Sequence, residues 1–386
     1  MNSDCPKRFV VIQNIPSPYR LHLFTVLGQE LSSRGYGLHV HFMSKGHAER
    51  PMAWLNPEIS FPHTYWTDYG VGTHHSNPGL VVHLRRCVPA DYLLVGSAWD
   101  TFTGIASSFV VPRKKGILWT EGNTKTPGKL DGFLGQFKRR VLSRFDYVAV
   151  PGQEGVGYVA LHQQRTVKQM PVPVLLPNLI DERRFKLDPS ASQSGVAELK
   201  GRLGVLASER LAICPARLET VKGLAGFLEG LPDKCLDGWK LLIIGEGSQR
   251  DAIERIVRAR GLTERVILLG YVPYEEMPLF YAASDLFVLP SLYDPNPLSV
   301  VEAMHSGLPL LLSKQVGNYP EALIAGKTGW GFSPFDVREM GAAAVQAFSA
   351  TPGLLREKGR EAKRQADLVW GSETAIRNFA DALGIA

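Results

Sequence analysis

No apolar run in this 386-residue chain approaches the roughly 18 residues that a helix needs to cross a bilayer, so no membrane-spanning segment is expected. Cysteine is scarce: Cys5, Cys87, Cys214 and Cys235 lie far apart, without a C-x-x-C pair. That scatter argues against a disulfide framework or a cysteine-held metal cluster and is consistent with a reducing compartment. Residues 1–19 lack the charged-then-apolar order of a signal peptide and pass into an apolar strand, so a non-secreted, cytoplasmic protein is expected. Neither sign of charge is in large excess. The net charge of +6 and pI near 9.0 are not joined to any nucleic-acid-reading motif, which argues against nucleic acid and leaves anionic lipid or a nucleotide to meet the surplus.

What the chain does have is 45% hydrophobic residues and a length beyond the size at which one core usually stops growing, so two domains are expected. Strands read at 8–13, 38–42, 91–96, 116–120, 146–151 and 172–176 in the first half, and at 210–214, 239–244, 266–270, 284–291 and 308–313 in the second. Helical patterns alternate with them, the signature of an α/β fold with doubly wound parallel sheets. The polar piece 188–195 reads as a linker, and 371–385 as a last helix. Residues 125–144 set apolar positions 130, 133, 134, 137, 141 and 142 at helical spacing, continued by Phe145, opposite Lys138, Arg139, Arg140 and Arg144. Two readings stay open there: a helix packed on the sheet with a solvated basic back, or a surface element attracted to anionic membrane.

The most informative stretch is 284–321. Residues 284–291 form a nearly unbroken apolar run, which is how a parallel strand covered on both faces reads. Asn296-Pro297 then reads as N-cap and first-turn proline of a helix over 298–306, stopped at Gly307. This places the positive end of a helix around Pro297, Leu298 and Ser299, just past a buried strand, where diphosphates bind well. Asp294 precedes that helix and Glu302 lies inside it, so two carboxylates flank one pocket. Glu302 sits among Val300, Val301, Ala303 and Met304 and needs hydrogen-bond donors, such as a vicinal diol. Arg217 and Lys222 flank the loop after the first strand of the second half. They either converge on the same diphosphate or form a solvated basic pair. Gly245-Glu246-Gly247 lacks the third glycine of a dinucleotide fingerprint and reads as a tight turn.

The spacing Asp294-x7-Glu302, preceded by Pro290-Ser291 and followed by Ala303-Met304-x-x-Gly307-x-Pro309, resembles the Glu-x7-Glu motif of family 4 glycosyltransferases. Arg217-Leu218-x-x-x-Lys222-Gly223 is similar to that family's Arg-Leu-x-x-x-Lys-Gly, and 177–181 to its Pro-Asn-Gly-hydrophobic-Asp turn, with Leu179 for glycine. The resemblance implies the GT-B fold, two Rossmann-like doubly wound domains facing a cleft. It implies an acceptor-side domain over 1–180, a nucleotide-sugar-binding domain over 181–370, and a C-terminal helix, 371–386, returning to the first. Asp294 would hold the donor sugar and Glu302 the ribose diol. Arg217 and Lys222 would stabilise the leaving diphosphate with Pro297, Leu298 and Ser299. Gly245 and Gly247 would line the nucleotide side, and Val272 would follow the strand that receives the base. Glu121 or Asn123 would replace a histidine usual in the first domain. The histidines and aromatics of 46–79, among them His47, Trp54, His63, Tyr65, Trp66, His74 and His75, either line an acceptor cleft or are ordinary packing and surface residues.

The implied activity is retaining transfer of a sugar from a nucleotide-diphosphate donor to a saccharide or lipid-linked saccharide, in polysaccharide or glycolipid synthesis. The departing phosphate oxygen would take the acceptor's proton, with no metal and no further cofactor. The sequence departs from the family in having Asp294 for glutamate, Asn296-Pro297 for Phe-Gly, and Pro16-Ser17-Pro18 for a glycine pair. A nucleotide-sugar epimerase of the same fold and an inactive scaffold are the alternatives.

Overall fold

The computed structural model describes residues 7–45, 58–70, 74–87, 90–96, 101–110, 115–125, 131–185 and 189–386. The chain divides into two compact units, Met1–Leu179 with Ser372–Ala386, and Ile180–Gly371.

In the first unit the strands are β1 (Lys7–Gln13), β2 (Tyr36–Phe42), β3 (His63–Tyr65), β4 (Tyr92–Val95), β5 (Gly116–Trp119), β6 (Tyr147–Val150) and β7 (Val172–Leu175). They form a parallel sheet ordered β3-β2-β1-β4-β5-β6-β7, with Phe9 level with Leu38 on one side and Tyr92 on the other. Helices α1 (Pro18–Ser33), α2 (Pro78–Cys87), α3 (Phe102–Val110), α4 (Gly132–Leu142) and α5 (Gln153–Gln163) alternate with them. Val10, Ile12, Leu93, Val95, Leu118, Val148 and Val150 fill one core, as expected of strands covered on both faces.

The second unit runs α6 (Pro189–Arg202), β8 (Arg210–Pro215), α7 (Leu224–Gly230), β9 (Trp239–Ile244), α8 (Arg250–Ala259), β10 (Val266–Gly270), α9 (Met277–Ala282), β11 (Leu286–Leu289), α10 (Leu298–His305), β12 (Leu310–Ser313), α11 (Tyr319–Ala322), β13 (Gly329–Phe332), α12 (Val337–Phe348) and α13 (Pro352–Trp370). Its sheet is ordered β10-β9-β8-β11-β12-β13 and is parallel throughout. The chain then re-enters the first unit as α14 (Ser372–Ala382), which packs on α1 and β7. Arg34 pairs with Asp381 at 2.6 Å, and Tyr92 Oη donates to Leu383 O at 2.8 Å.

Three expectations change. Residues 189–195 are not linker but the opening of α6, which packs against α9; helix contacts outweigh the polar composition there. The basic helix begins at Gly132 rather than 125, and Leu130 lies outside the described residues. Its apolar stripe also divides: Val141, Leu142 and Phe145 are buried, whereas Phe133 and Leu134 are 83% and 55% exposed. His47 and Trp54 lie outside the described residues, and strand β3 forms within a stretch whose pattern looked irregular.

The histidines of β2 pack together. His39 and His41 are two apart and share a face, with ring centroids 4.7 Å apart, and His41 lies 5.5 Å from His83 of α2. Trp66 Nε1 donates to His41 Nδ1 at 3.1 Å. Burial first, then His39 and His83, pushes the His41 pKa down to about 3. An unfolded His41 takes a proton near pH 6.5, so between these values the unfolded chain binds more protons and stability falls as the pH falls, by up to ~1.4 kcal/mol per pH unit. We expect the urea midpoint of the first unit to drop between pH 6.5 and 4, and His41→Gln to flatten that slope; an unchanged slope would contradict the assignment.

Candidate functional site

The strand order of the second unit reverses between β8 and β11, and open α/β sheets take ligands beyond the carboxyl ends of the strands at such a reversal. Two loops leave from that point, 216–223 and 290–297. They are laced together by backbone contacts. Gly223 has φ +67°, and a side chain there would meet Pro290 O at 2.3 Å; Leu292 N and Tyr293 N donate to Val221 O at 2.8 and 3.3 Å.

That lacing carries Lys222, in a single 3-10 turn (Thr220–Lys222), to the carboxylate of Asp294, to which its Nζ donates. Both side chains are largely buried, 14% and 10% exposed, so each charge depends on the other. Asp294 is fixed by its own backbone, since Gly317 N donates to its carbonyl at 2.8 Å. Burial at the end of β8 pushes the Cys214 thiol up to about 12, with Lys222 opposing the rise.

The turn after β9 presses on the first loop. Gly245 has φ +141°, and a side chain there would lie 2.1 Å from Ala216 O; one at Gly247 would lie 2.4 Å from Leu218 O. Two backbones approach too closely for anything but glycine, which is why the pair occurs without the third glycine of a dinucleotide fingerprint. Arg217, between these loops, is exposed and forms no ion pair among the described residues. Its charge is felt at Glu219, whose carboxyl is held low chiefly by the hydroxyl and N–H of Ser248. Val272 is half-buried after β10, next to Tyr271, which is 58% exposed.

Helix α10 starts as the sequence suggests but is capped differently. Pro297, with φ −68° and ψ 118°, occupies the cap position itself, and no side chain caps the helix. Asn296 therefore stands one residue too early to cap; it is buried, and its Oδ1 has no partner among the described residues. Asn318 Nδ2 fixes the entry by donating to Pro297 O at 3.0 Å. The first-turn N–H groups at Leu298 and Ser299 are left to an incoming acceptor.

Glu302, one turn further on, is 4% exposed. Tyr281 Oη donates to its Oε2 at 2.6 Å, and Tyr281 is fully buried in α9. Burial and then Glu302 raise the Tyr274 hydroxyl above its ordinary range. The sequence reading missed Tyr281. A tyrosine inside the apolar helix Met277–Ala282 was the available signal, because a buried phenol needs a partner.

Glu121 belongs to the first unit, at the end of β5. Arg20 Nη2 and Asn178 Nδ2 both donate to its Oε1, at 2.8 and 3.1 Å, and the Arg20 guanidinium lies 3.9 Å from the Trp119 ring centre. Burial lowers the Arg20 pKa, and Glu121 opposes that. Glu121 is thus held as a charge partner of Arg20. Asn123 is buried, its Oδ1 accepting from Lys125 N at 2.9 Å.

Residues 197–366 match the family model described as glycosyl transferases group 1. Over 200 residues, 51% of this chain and 45% of the relative, the chain is 30% identical to glycogen synthase of Mycobacterium tuberculosis. Over 163 residues, 40% of this chain and 41% of the relative, it is 30% identical to the GDP-mannose-dependent alpha-(1-6)-phosphatidylinositol monomannoside mannosyltransferase of Mycolicibacterium smegmatis. These matches span less than half the length of those curated relatives. In three dimensions the whole chain resembles Anabaena HepE, solved in complex with UDP and glucose, at a TM-score of 0.74 and 18% identity, covering 98% of this chain and 99% of that one. The fold is the two-domain GT-B fold of glycosyltransferases, and residues 197–366 are its part similar in sequence to the group 1 enzymes.

Proposed function

We propose that this chain is a retaining, family 4 glycosyltransferase that moves a sugar from a nucleoside-diphosphate donor to a saccharide or lipid-linked saccharide, in cell-surface polysaccharide or glycolipid synthesis. The observation that carries this reading is the buried Lys222–Asp294 pair beside the uncapped start of α10 and the buried Glu302, all at one strand-order reversal. HepE was solved with UDP and glucose, and the mycobacterial relative is named for GDP-mannose, which supports a nucleotide-sugar donor.

In this reading a diphosphate takes the place of Asp294 as the partner of Lys222, with Arg217 and the first-turn N–H groups of α10 around it. Cleavage of the sugar-phosphate bond builds negative charge on the leaving group, and fixed cations lower the barrier most where that charge develops. Asp294, released from Lys222, accepts hydrogen bonds from the donor sugar. The ribose hydroxyls share the Glu302 carboxylate with Tyr281. The departing phosphate oxygen takes the acceptor's proton, and the reading invokes no metal and no cofactor beyond the donor.

For the acceptor side we propose peripheral contact with the cytoplasmic membrane face through α4. No helix among the described residues is long and apolar enough to cross a membrane. The exposed Phe133 borders a surface groove of about 620 Å³ whose lining includes Phe109, Phe137, Arg139, Arg140, Arg165 and Lys168. The field of this patch reaches His162 behind it, whose pKa is pushed down to about 4 by burial first, then by Arg139, Lys138 and Arg165. Exposed aromatic rings among clustered cations suit a surface of anionic lipid.

Three outcomes are expected. Lys222→Ala and Glu302→Gln should each lower transfer from a nucleotide sugar by ~100-fold or more in protein shown to be folded by circular dichroism, Lys222→Ala also losing stability because it leaves Asp294 buried without its partner, and near-normal turnover by both purified variants would refute the assignment. Product analysis without acceptor separates transfer from epimerisation. Tyr281→Phe should weaken nucleotide binding by ~10-fold, read as a smaller thermal shift at equal ligand. Replacing Lys138, Arg139 and Arg140 with glutamate should cut binding to phosphatidylglycerol vesicles by ~10-fold or more, and equal binding would rule out the membrane contact.

A further inference from the structure

The loop after β3 holds a second organised group of polar side chains, in the first unit. His75 is 3% exposed, and its Nδ1 lies 2.5 Å from Asp68 Oδ2. The other oxygen of Asp68 accepts from Gly70 N at 2.9 Å and Ser76 N at 3.0 Å. Burial by itself would raise the Asp68 pKa, but these hydrogen bonds outweigh it and hold the carboxyl below its ordinary value. An ionised carboxylate only accepts, so the proton between the two groups sits on Nδ1. Nε2 of the ring has no partner among the described residues.

The loop is built to hold that ring still. Tyr69 N donates to Ser76 O at 2.9 Å, closing the turn, and a side chain at Gly70 would meet His74 O at 2.0 Å. Asn77 ties the loop to its neighbours: its Nδ2 donates to Met43 O and Thr67 O, each at 2.8 Å, and its Oδ1 accepts from Thr103 Oγ1 at 3.0 Å. These bonds join the segments that follow β2, β3 and β4, so His75 is set at the carboxyl edge of the sheet, where parallel sheets present ligand-binding groups. Beside it, Phe102 is 65% exposed with its ring 6.3 Å from that of the exposed His74.

We propose that Asp68, His75 and Phe102 form a saccharide subsite on the first unit. His75 Nε2 hydrogen-bonds a sugar hydroxyl, and the apolar face of the sugar ring packs on Phe102. A fixed hydrogen-bonding group beside an exposed aromatic ring matches both halves of a pyranose, its hydroxyl edge and its C–H face. Asp68 is a positioning residue, holding the ring angle. The inference rests on the transferase reading for its meaning, since the sugar bound here would be the acceptor, but its test does not require turnover.

Saturation-transfer NMR on the full chain with methyl α-glucoside, methyl α-mannoside and methyl α-galactoside reads binding directly. We expect signal from at least one glycoside, its loss in Phe102→Ala, whose side chain is exposed, and a drop of ~10-fold or more in affinity in His75→Gln. Asp68→Asn should weaken binding less than His75→Gln and leave the nucleotide-induced thermal shift unchanged. No signal from any glycoside with the wild-type chain, or binding unchanged in both Phe102→Ala and His75→Gln, would overturn the subsite. Failure of transfer with glycoside binding intact would overturn only the transferase reading.

Discussion

The second unit is organised by one electrostatic constraint: a lysine and an aspartate, both largely buried, that neutralise each other. Neither charge is tolerable alone at that depth, since an unpaired buried ion costs several kcal/mol, on the order of 3–5 when one partner is removed. The two loops must therefore stay in register, and the rest of the local structure serves that end. Gly223 allows the Val221 carbonyl to receive Leu292 and Tyr293, and Gly245 lets a third loop close on the first. In the proposed reading the pair is also exchangeable: a dianionic ligand takes the lysine while hydroxyl groups replace it on the aspartate, which calls for a molecule carrying both a phosphate and a polyol.

Much of this arrangement was legible in the sequence because parallel strands covered on both faces read as short apolar runs, and those runs located nearly every strand of the second unit. The acid pair at 294 and 302 and the basic pair at 217 and 222 were visible for the same reason, lying directly after such runs. What escaped was whatever depends on contacts remote in sequence. Tyr281 reaches Glu302 across 21 residues, and Arg20 reaches Glu121 across 101. The cap of α10 was misread because Asn296 and Pro297 each suit a helix start, and only the backbone angles show that proline takes the cap position itself. The segment 189–195 was misread because its composition is polar, while its helix is set by packing on α9.

The first unit shows how the same sheet architecture serves different side chains. Its carboxyl edge carries Glu121 clamped by Arg20 and Asn178, and a histidine clamped by Asp68, where the second unit carries a lysine clamped by Asp294. In each case a carboxylate fixes a neighbour, yet the group presented differs. A cation suits a phosphate, whereas an imidazole suits a hydroxyl.

The path of the chain has a consequence for biogenesis. The unit Ile180–Gly371 is inserted within the other, whose last piece, Ser372–Ala386, supplies a helix against α1 and β7 and partners for Arg34 and Tyr92. During synthesis the first unit must wait, with part of its surface uncovered, until the ribosome has made all of the inserted one. The half begun earliest is completed last, and in that interval its α1 and β7 lack the helix that covers them.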